Sequence, residues 1–181
     1  MSELVVLVFK GDEDRASAAY KELEPMAKHG QIAVDGGAVA VKDKGGKVRL
    51  RQTSDWSKKK GILRGGFWGL LIGIIFAVPV VGVLLGVVLG LALKGNQILD
   101  PEFTKELADE MEAGDSALFV VVSPSGPKTY EHTLQTLKDT GGNFFQTELS
   151  DDAQAAIEKA LENKEVAEAA ESVVEDEEDG S

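Results

Sequence analysis

Cysteine is absent from this chain of 181 residues, which excludes disulfides, thiolate metal sites and a cysteine nucleophile. Histidine is nearly absent, with only His29 and His132, so a zinc or iron site would have to depend on carboxylates, which is uncommon. The net charge of -12 argues against a nucleic-acid binder, because phosphate contacts need clustered Lys and Arg. We therefore expect no metal, no cofactor and no nucleic-acid partner.

Positive charge is scarce overall but concentrated in one stretch. Nine basic and two acidic residues lie between Lys42 and Arg64, whereas the rest of the chain is strongly acidic. Such asymmetry usually indicates a partner or a surface. The amino terminus also lacks the basic start of a signal peptide, so we expect it to be cytoplasmic.

An apolar segment covers residues 65–93, which are 29 residues without a charge. A straight helix of that length would measure about 43 Å, longer than the hydrocarbon core of about 30 Å. Pro79 lies near the middle and disfavours a continuous helix there. Two arms of about 14 residues, each about 21 Å long, therefore predict a hairpin that dips into a bilayer or spans a thinned one.

Glycines recur every four residues in both arms of this segment. Four-residue spacing places them on one helix face, where backbones approach closely, as in a glycine zipper. We expect this face to pack between the two arms or between subunits of a homo-oligomer. The residues assigned to oligomerisation and membrane insertion, with the proline at the turn, are Gly65, Gly69, Gly73, Pro79, Gly82, Gly86 and Gly90.

Basic and aromatic residues flank the apolar segment. Such residues are typical of cytoplasmic membrane edges, where each basic side chain contributes on the order of 1 kcal/mol near anionic headgroups. Trp56, Phe67 and Trp68 are expected at the interface. The alternative is a helical hairpin buried in the core of a soluble oligomer. The residues assigned to lipid headgroups are Lys58, Lys59, Lys60 and Arg64.

The rest of the chain predicts an α+β domain. The order of elements is β-α-β, a hairpin strand, the insert, a helix, β-α-β and a terminal helix. Two β-α-β halves favour a ferredoxin-like sheet with helices on one face. We divide the chain into a first half (1–54), the apolar insert (55–99), a second half with the terminal helix (100–163) and an acidic, disordered tail (164–181).

Neither half of this domain is large enough to bury a core alone. Both halves must therefore lie on the same side of any membrane, which favours a hairpin over a single crossing. We predict an inner-membrane location with both termini in the cytoplasm.

Two motifs resemble a known family. The sequences DWS at 55–57, KG at 60–61 and RGGFWGLLIG at 64–73 resemble the signature of the bacterial "predicted membrane protein" family called domain of unknown function 1269. GDSALFV at 114–120 is similar to its second block, and the likeness covers roughly residues 4–161. The resemblance implies a bacterial membrane-associated protein, sometimes linked to stress responses, and implies no catalytic residues.

Four other features were weighed for chemistry. The glycines at 65–69 lack the preceding strand and the terminal Lys-Ser/Thr of a phosphate-binding loop. Glu131 and His132 are expected on a helix surface, and His29 at a helix end. The acidic residues 12–14 lack the glycine and distal glutamate of a calcium loop. We therefore predict that the protein is not an enzyme.

The first functional hypothesis is a membrane-associated homo-oligomer that acts as a stress-related scaffold and binds anionic lipid. Three alternatives remain open. The hairpins could surround a pore, although no polar residues line either arm. The domain could be a membrane-anchored ligand or stress sensor, or the protein could be a soluble multimer with the hairpin in its core.

Overall fold

The structure is a computed structural model that describes residues 2–56, 65–76, 98–123 and 127–171. These ranges contain five strands and six helices. The strands are β1 (Ser2–Phe9), β2 (Val34–Lys42), β3 (Val48–Asp55), β4 (Ser116–Val122) and β5 (Asn143–Leu149). The helices are α1 (Arg15–Lys28), α2 (Gly65–Ile75), α3 (Pro101–Glu110), α4 (Pro127–Lys138), α5 (Asp151–Leu161) and α6 (Lys164–Glu171). The predicted α+β class is confirmed.

All five strands form one antiparallel sheet in the order β3-β2-β4-β1-β5. Strand β1 precedes the apolar segment in the chain, yet both of its neighbours in the sheet, β4 and β5, follow that segment. Val6 lies opposite Phe119 of β4 and opposite Phe145 of β5. The two halves of the chain are therefore one hydrogen-bonded unit.

Helices cover both faces of the sheet. Helices α1 and α4 pack on the face that carries Val5, Leu7 and Val120. Helices α2, α3, α5 and α6 pack on the face that carries Leu4 and Phe119. The prediction that helices cover only one face is therefore wrong. The physical reason is that β1 and β4 are apolar at every central position, so both of their faces must be buried.

Local sequence signals set the start of several helices. The Asp100 side chain accepts hydrogen bonds from the backbone N–H groups of Glu102 (2.8 Å) and Phe103, and Pro101 occupies the first turn of α3. The Ser150 hydroxyl accepts a bond from the Ala153 N–H (3.1 Å) at the start of α5. Short polar side chains readily accept hydrogen bonds from the unpaired N–H groups of a first helical turn. These helix starts can therefore be recognised in the sequence.

The carboxyl-terminal region differs from the prediction of an acidic tail starting at residue 164. Residues 164–171 form α6, in which Val166, Ala169 and Ala170 are buried while the glutamates face outward. Three apolar residues at helical spacing give the segment one face to bury, even though its composition is acidic.

Candidate functional site

Helix α2, the first part of the apolar segment, lies in the core of the domain. Trp68, Leu70, Leu71 and Ile72 have 0 % exposure and belong to the same cluster as Leu4 of β1. The helix contacts α3, α5, α6 and β3. Its eleven residues, every one uncharged, span about 16 Å. The apolar face of α2 is therefore buried by its own chain.

Within the described parts of the chain, no helix combines the length and apolar character needed to cross a membrane.

The backbones of α2 and α6 come very close to each other at Gly69. A Cβ atom added to Gly69 would collide with the carbonyl oxygen of Ala170 in α6 and would lie 2.8 Å from the carbonyl carbon. Real Cβ atoms essentially never come so close to a backbone atom. The missing side chain is thus what lets the backbones of α2 and α6 touch, which is the use of glycine expected in glycine-faced packing. Here the packing is within one chain.

Other residues assigned to assembly are placed differently. Gly65 begins α2 and Gly73 is buried near its end. A Cβ on Gly66 would meet only the Leu161 side chain, at 3.5 Å, which is an ordinary contact. The remaining assigned residues lie outside the described residues, namely Pro79, Gly82, Gly86, Gly90, Lys58, Lys59, Lys60 and Arg64.

The aromatic residues near the insert are buried, not at an interface. Trp56, directly after β3, is 7 % exposed, and its ring centroid lies 5.0 Å from that of Tyr20 in α1. The indole ring covers Gly37 of β2, where an added Cβ would lie 2.8 Å from Trp56 Cη2. The Tyr20 hydroxyl donates a hydrogen bond to Ser54 Oγ, and burial is the main reason that the Tyr20 pKa is raised. Paired glycines at 36–37 inside a strand were the signal that a bulky group packs there.

The arginines of the β2–β3 hairpin, Arg49 and Arg51, are paired with acidic groups of the same chain. Arg51 lies 3.1 Å from the Asp14 carboxylate and 3.7 Å from that of Glu13, at the start of α1. Arg49 lies 3.5 Å from the Asp43 carboxylate. The tertiary fold thus brings Arg51 to the start of α1, whereas Arg49 pairs with a carboxylate in the turn of its own hairpin.

A polar cluster joins the turns at one end of the sheet. The buried Asp115 carboxylate accepts hydrogen bonds from the backbone N–H groups of Gly11 (2.7 Å) and Glu112 (2.8 Å), and Lys10 Nζ lies 2.7 Å away. Burial by itself raises the pKa of Asp115, but the hydrogen bonds from Lys10 and the two amides outweigh it, so the pKa is lowered. The same contact raises the pKa of Lys10. This GDSA motif therefore braces the fold.

The residues weighed for chemistry are spread over the surface. Glu131 and His132 are exposed on α4. His29 ends α1, with Nδ1 at 2.6 Å from the Pro25 carbonyl oxygen. Asp12 Oδ1 accepts hydrogen bonds from the N–H groups of Asp14 and Arg15 and so starts α1. Among the described residues, no group of three His, Asp or Glu side chains is arranged to hold a metal ion.

Comparison with known proteins identifies a family. The family described as "Protein of unknown function (DUF1269)" matches residues 62–162, which is more than half of the chain. No curated protein and no solved structure matches. The matched range contains both α2, with its contact at Gly66, and the GDSA motif at 114–117. The resemblance seen in the sequence is confirmed, and the chain belongs to the DUF1269 family of proteins of unknown function.

Proposed function

We propose that the protein is a non-enzymatic, membrane-associated protein that self-assembles through its glycine-rich apolar segment. The observation that carries this proposal is that the sheet joins the two halves of the chain. Because β1 pairs with both β4 and β5, residues 56 and 98 belong to one unit and lie on one side of any bilayer. If the apolar stretch between them enters a bilayer, it has to leave and return on that same side, as a hairpin does.

The fold that supports this arrangement is, in our proposal, ferredoxin-like with one added edge strand. The crossover β1-α1-β2 skips over β4, and the crossover β4-α4-β5 skips over β1. That interleaving of two β-α-β units is the pattern of a split βαβ sheet. Strand β3 is then the added edge strand, and the apolar segment is an insert between β3 and α3.

Anionic lipid is the proposed surface partner. Arg49 and Arg51 are engaged by carboxylates of the same chain. The basic residues at 58–60 and 64 border the apolar segment directly and are the proposed headgroup contacts. We assign a cytoplasmic-face location at an inner membrane on this basis.

Flotation with lipid vesicles tests the membrane proposal. The protein is expected to float with vesicles that contain phosphatidylglycerol and to bind neutral vesicles less. Joint replacement of Lys58, Lys59 and Lys60 by Gln should weaken binding roughly 100-fold, at about 1 kcal/mol per lysine. The matched control removes three exposed lysines elsewhere, at Lys105, Lys128 and Lys159, and should bind nearly as the wild type does. Equal losses in both variants would contradict specific headgroup contacts.

Self-assembly is tested at the second glycine repeat. Gly86→Leu adds a large side chain on the predicted close-packed face and should reduce the mass of the assembly in light scattering. Val87→Leu introduces the same side chain one position away, off that face, and should leave the mass unchanged. Assemblies of equal mass in both variants would count against glycine-faced association.

A soluble multimer with the hairpin in its protein core is a second candidate. The burial of Trp68 and Leu71 by the chain's own sheet and helices favours it. This candidate predicts a discrete multimer in lipid-free buffer and no flotation with vesicles of either composition. Sedimentation velocity beside flotation separates the two candidates.

A further inference from the structure

Helix α6 and the end of α5 cover one face of α2. Val166, Ala169 and Ala170 of α6 are buried, and the Ala170 backbone fills the space left open by Gly69. Nearby, Leu161 at the end of α5 covers Gly66. Helix α6 and the end of α5 together therefore hold α2 against the domain.

The charges on either side of the α2–α6 contact favour separation of α6 from α2 at an anionic surface. Glu165, Glu168 and Glu171 on α6 are exposed, and Lys164 is the one basic residue of that helix. Five more acidic residues follow at 175–179. An anionic surface attracts the lysines at 58–60 before α2 and repels α6 with the residues that follow it.

We propose that α6 is a displaceable cover on α2, and that the face of α2 at Gly69 takes the hydrocarbon of an anionic bilayer as its partner once α6 separates. The inference rests on the proposed membrane association. In the covered state the Gly69 face of α2 contacts the α6 backbone, and in the uncovered state it contacts lipid chains.

Trp68 reports which state is present. It is fully buried in the covered state, and Trp56→Phe leaves it as the single tryptophan. Quenching of Trp68 by brominated lipid chains in phosphatidylglycerol vesicles therefore measures contact of α2 with hydrocarbon, and quenching by acrylamide in buffer measures loss of the cover. Gly69→Ala should increase quenching by brominated lipid chains and quenching by acrylamide, because the new methyl group displaces the Ala170 backbone. Gly66→Ala adds the same methyl group without a clash and should match the parent protein.

A cross-linked variant keeps the test decisive if Gly69→Ala fails to fold. Gly66→Cys with Leu161→Cys in the cysteine-free chain, joined by a short bis-maleimide, fixes α2 to the domain. The cross-linked protein should lose quenching by brominated chains that the unreacted variant retains. Equal acrylamide quenching in Gly69→Ala and Gly66→Ala, or equal lipid quenching with and without the cross-link, overturns the cover. Failure of every variant to bind vesicles would contradict both the proposed membrane function and the hydrocarbon partner, whereas exposure of Trp68 to acrylamide in Gly69→Ala would still show that α6 covers α2.

Discussion

The ammonium group of Lys10 lies 2.7 Å from the buried carboxylate of Asp115 and ties together two neighbouring central strands. Lys10 directly follows β1, and Asp115 directly precedes β4. Next to them, Ser116 Oγ accepts a hydrogen bond from the Ala16 N–H and donates one to the Asp12 carbonyl oxygen. Ser116 therefore fixes the start of α1 against the sheet, and the Lys10–Asp115 pair joins β1 to β4. Together these contacts explain the GDSA motif structurally.

Asp115→Asn should lower the free energy of unfolding by about 1–3 kcal/mol, because the ion pair is lost and a buried network is left partly unsatisfied. Urea unfolding followed by circular dichroism measures the change. Glu112→Gln is the matched control, since that carboxylate is 3.8 Å from the same ammonium but its side chain is 76 % exposed. The control should change stability by less than about 0.5 kcal/mol. Similar losses in both variants would contradict the structural role of Asp115.

The lowered pKa of Asp115 predicts a pH dependence of stability. A carboxyl group whose pKa is lowered by the fold binds its proton more readily in the unfolded chain. Its contribution is therefore complete above about pH 5 and is lost as the pH falls through the folded-state pKa. The stability difference between wild type and Asp115→Asn should shrink as the pH falls from about 5 to about 2. A constant difference across that range would refute the assignment.

The packing of Trp56 on Gly37 predicts a non-additive pair of substitutions. Gly37→Ala should destabilise the protein by about 1–3 kcal/mol, since the new methyl group would lie 2.8 Å from Cη2 and 3.2 Å from Cζ3 of the indole. Trp56→Phe removes the outer ring that causes the clash, so Gly37→Ala should cost less in that background. A double-mutant cycle from thermal or urea unfolding gives the coupling energy. Additive effects would show that the ring and Gly37 do not interact.

Substitution of Val166 measures how much α6 contributes to the stability of the domain. Val166→Ala should cost about 1–2 kcal/mol, because two buried methyl groups are lost from the contact with the core. Amide hydrogen exchange should accelerate in both α2 and α6. Glu168→Ala, on the exposed side of the same helix, should change stability by no more than about 0.5 kcal/mol. Unchanged exchange in α2 after Val166→Ala would mean that α6 does not hold α2.

Most of the secondary structure could be predicted because its signals are local. Continuous β-branched and apolar runs indicate β1 and β4, and Asp100 with Pro101 marks the start of α3. Glycine at a positive φ ends the turn before β4, at Gly114 (φ 91°). The strand order is harder to predict, because every pairing except that of β2 with β3 joins residues more than 70 positions apart, such as Leu4 and Val121.

The candidate site was harder to predict, because its composition supports two environments. Trp68 and Leu71 are as suitable for a lipid interface as for a protein core. The acidic composition after residue 163 also obscured the three apolar residues that make α6 a packed helix. Whether α2 is buried against lipid or against protein depends on which apolar surface the fold brings next to it. The sequences of α2 and α6 taken separately do not contain that information.

By itself, the sequence determined the α+β class, the DUF1269 family signature and the uncharged glycine-rich segment at 65–93, because each depends on residue type and local spacing. Only the tertiary structure decided that both faces of the sheet are covered, that Arg51 is paired with Asp14, and that α6 lies on Gly69. Those contacts join residues distant in sequence, and they form only when the sheet brings the two halves of the chain together.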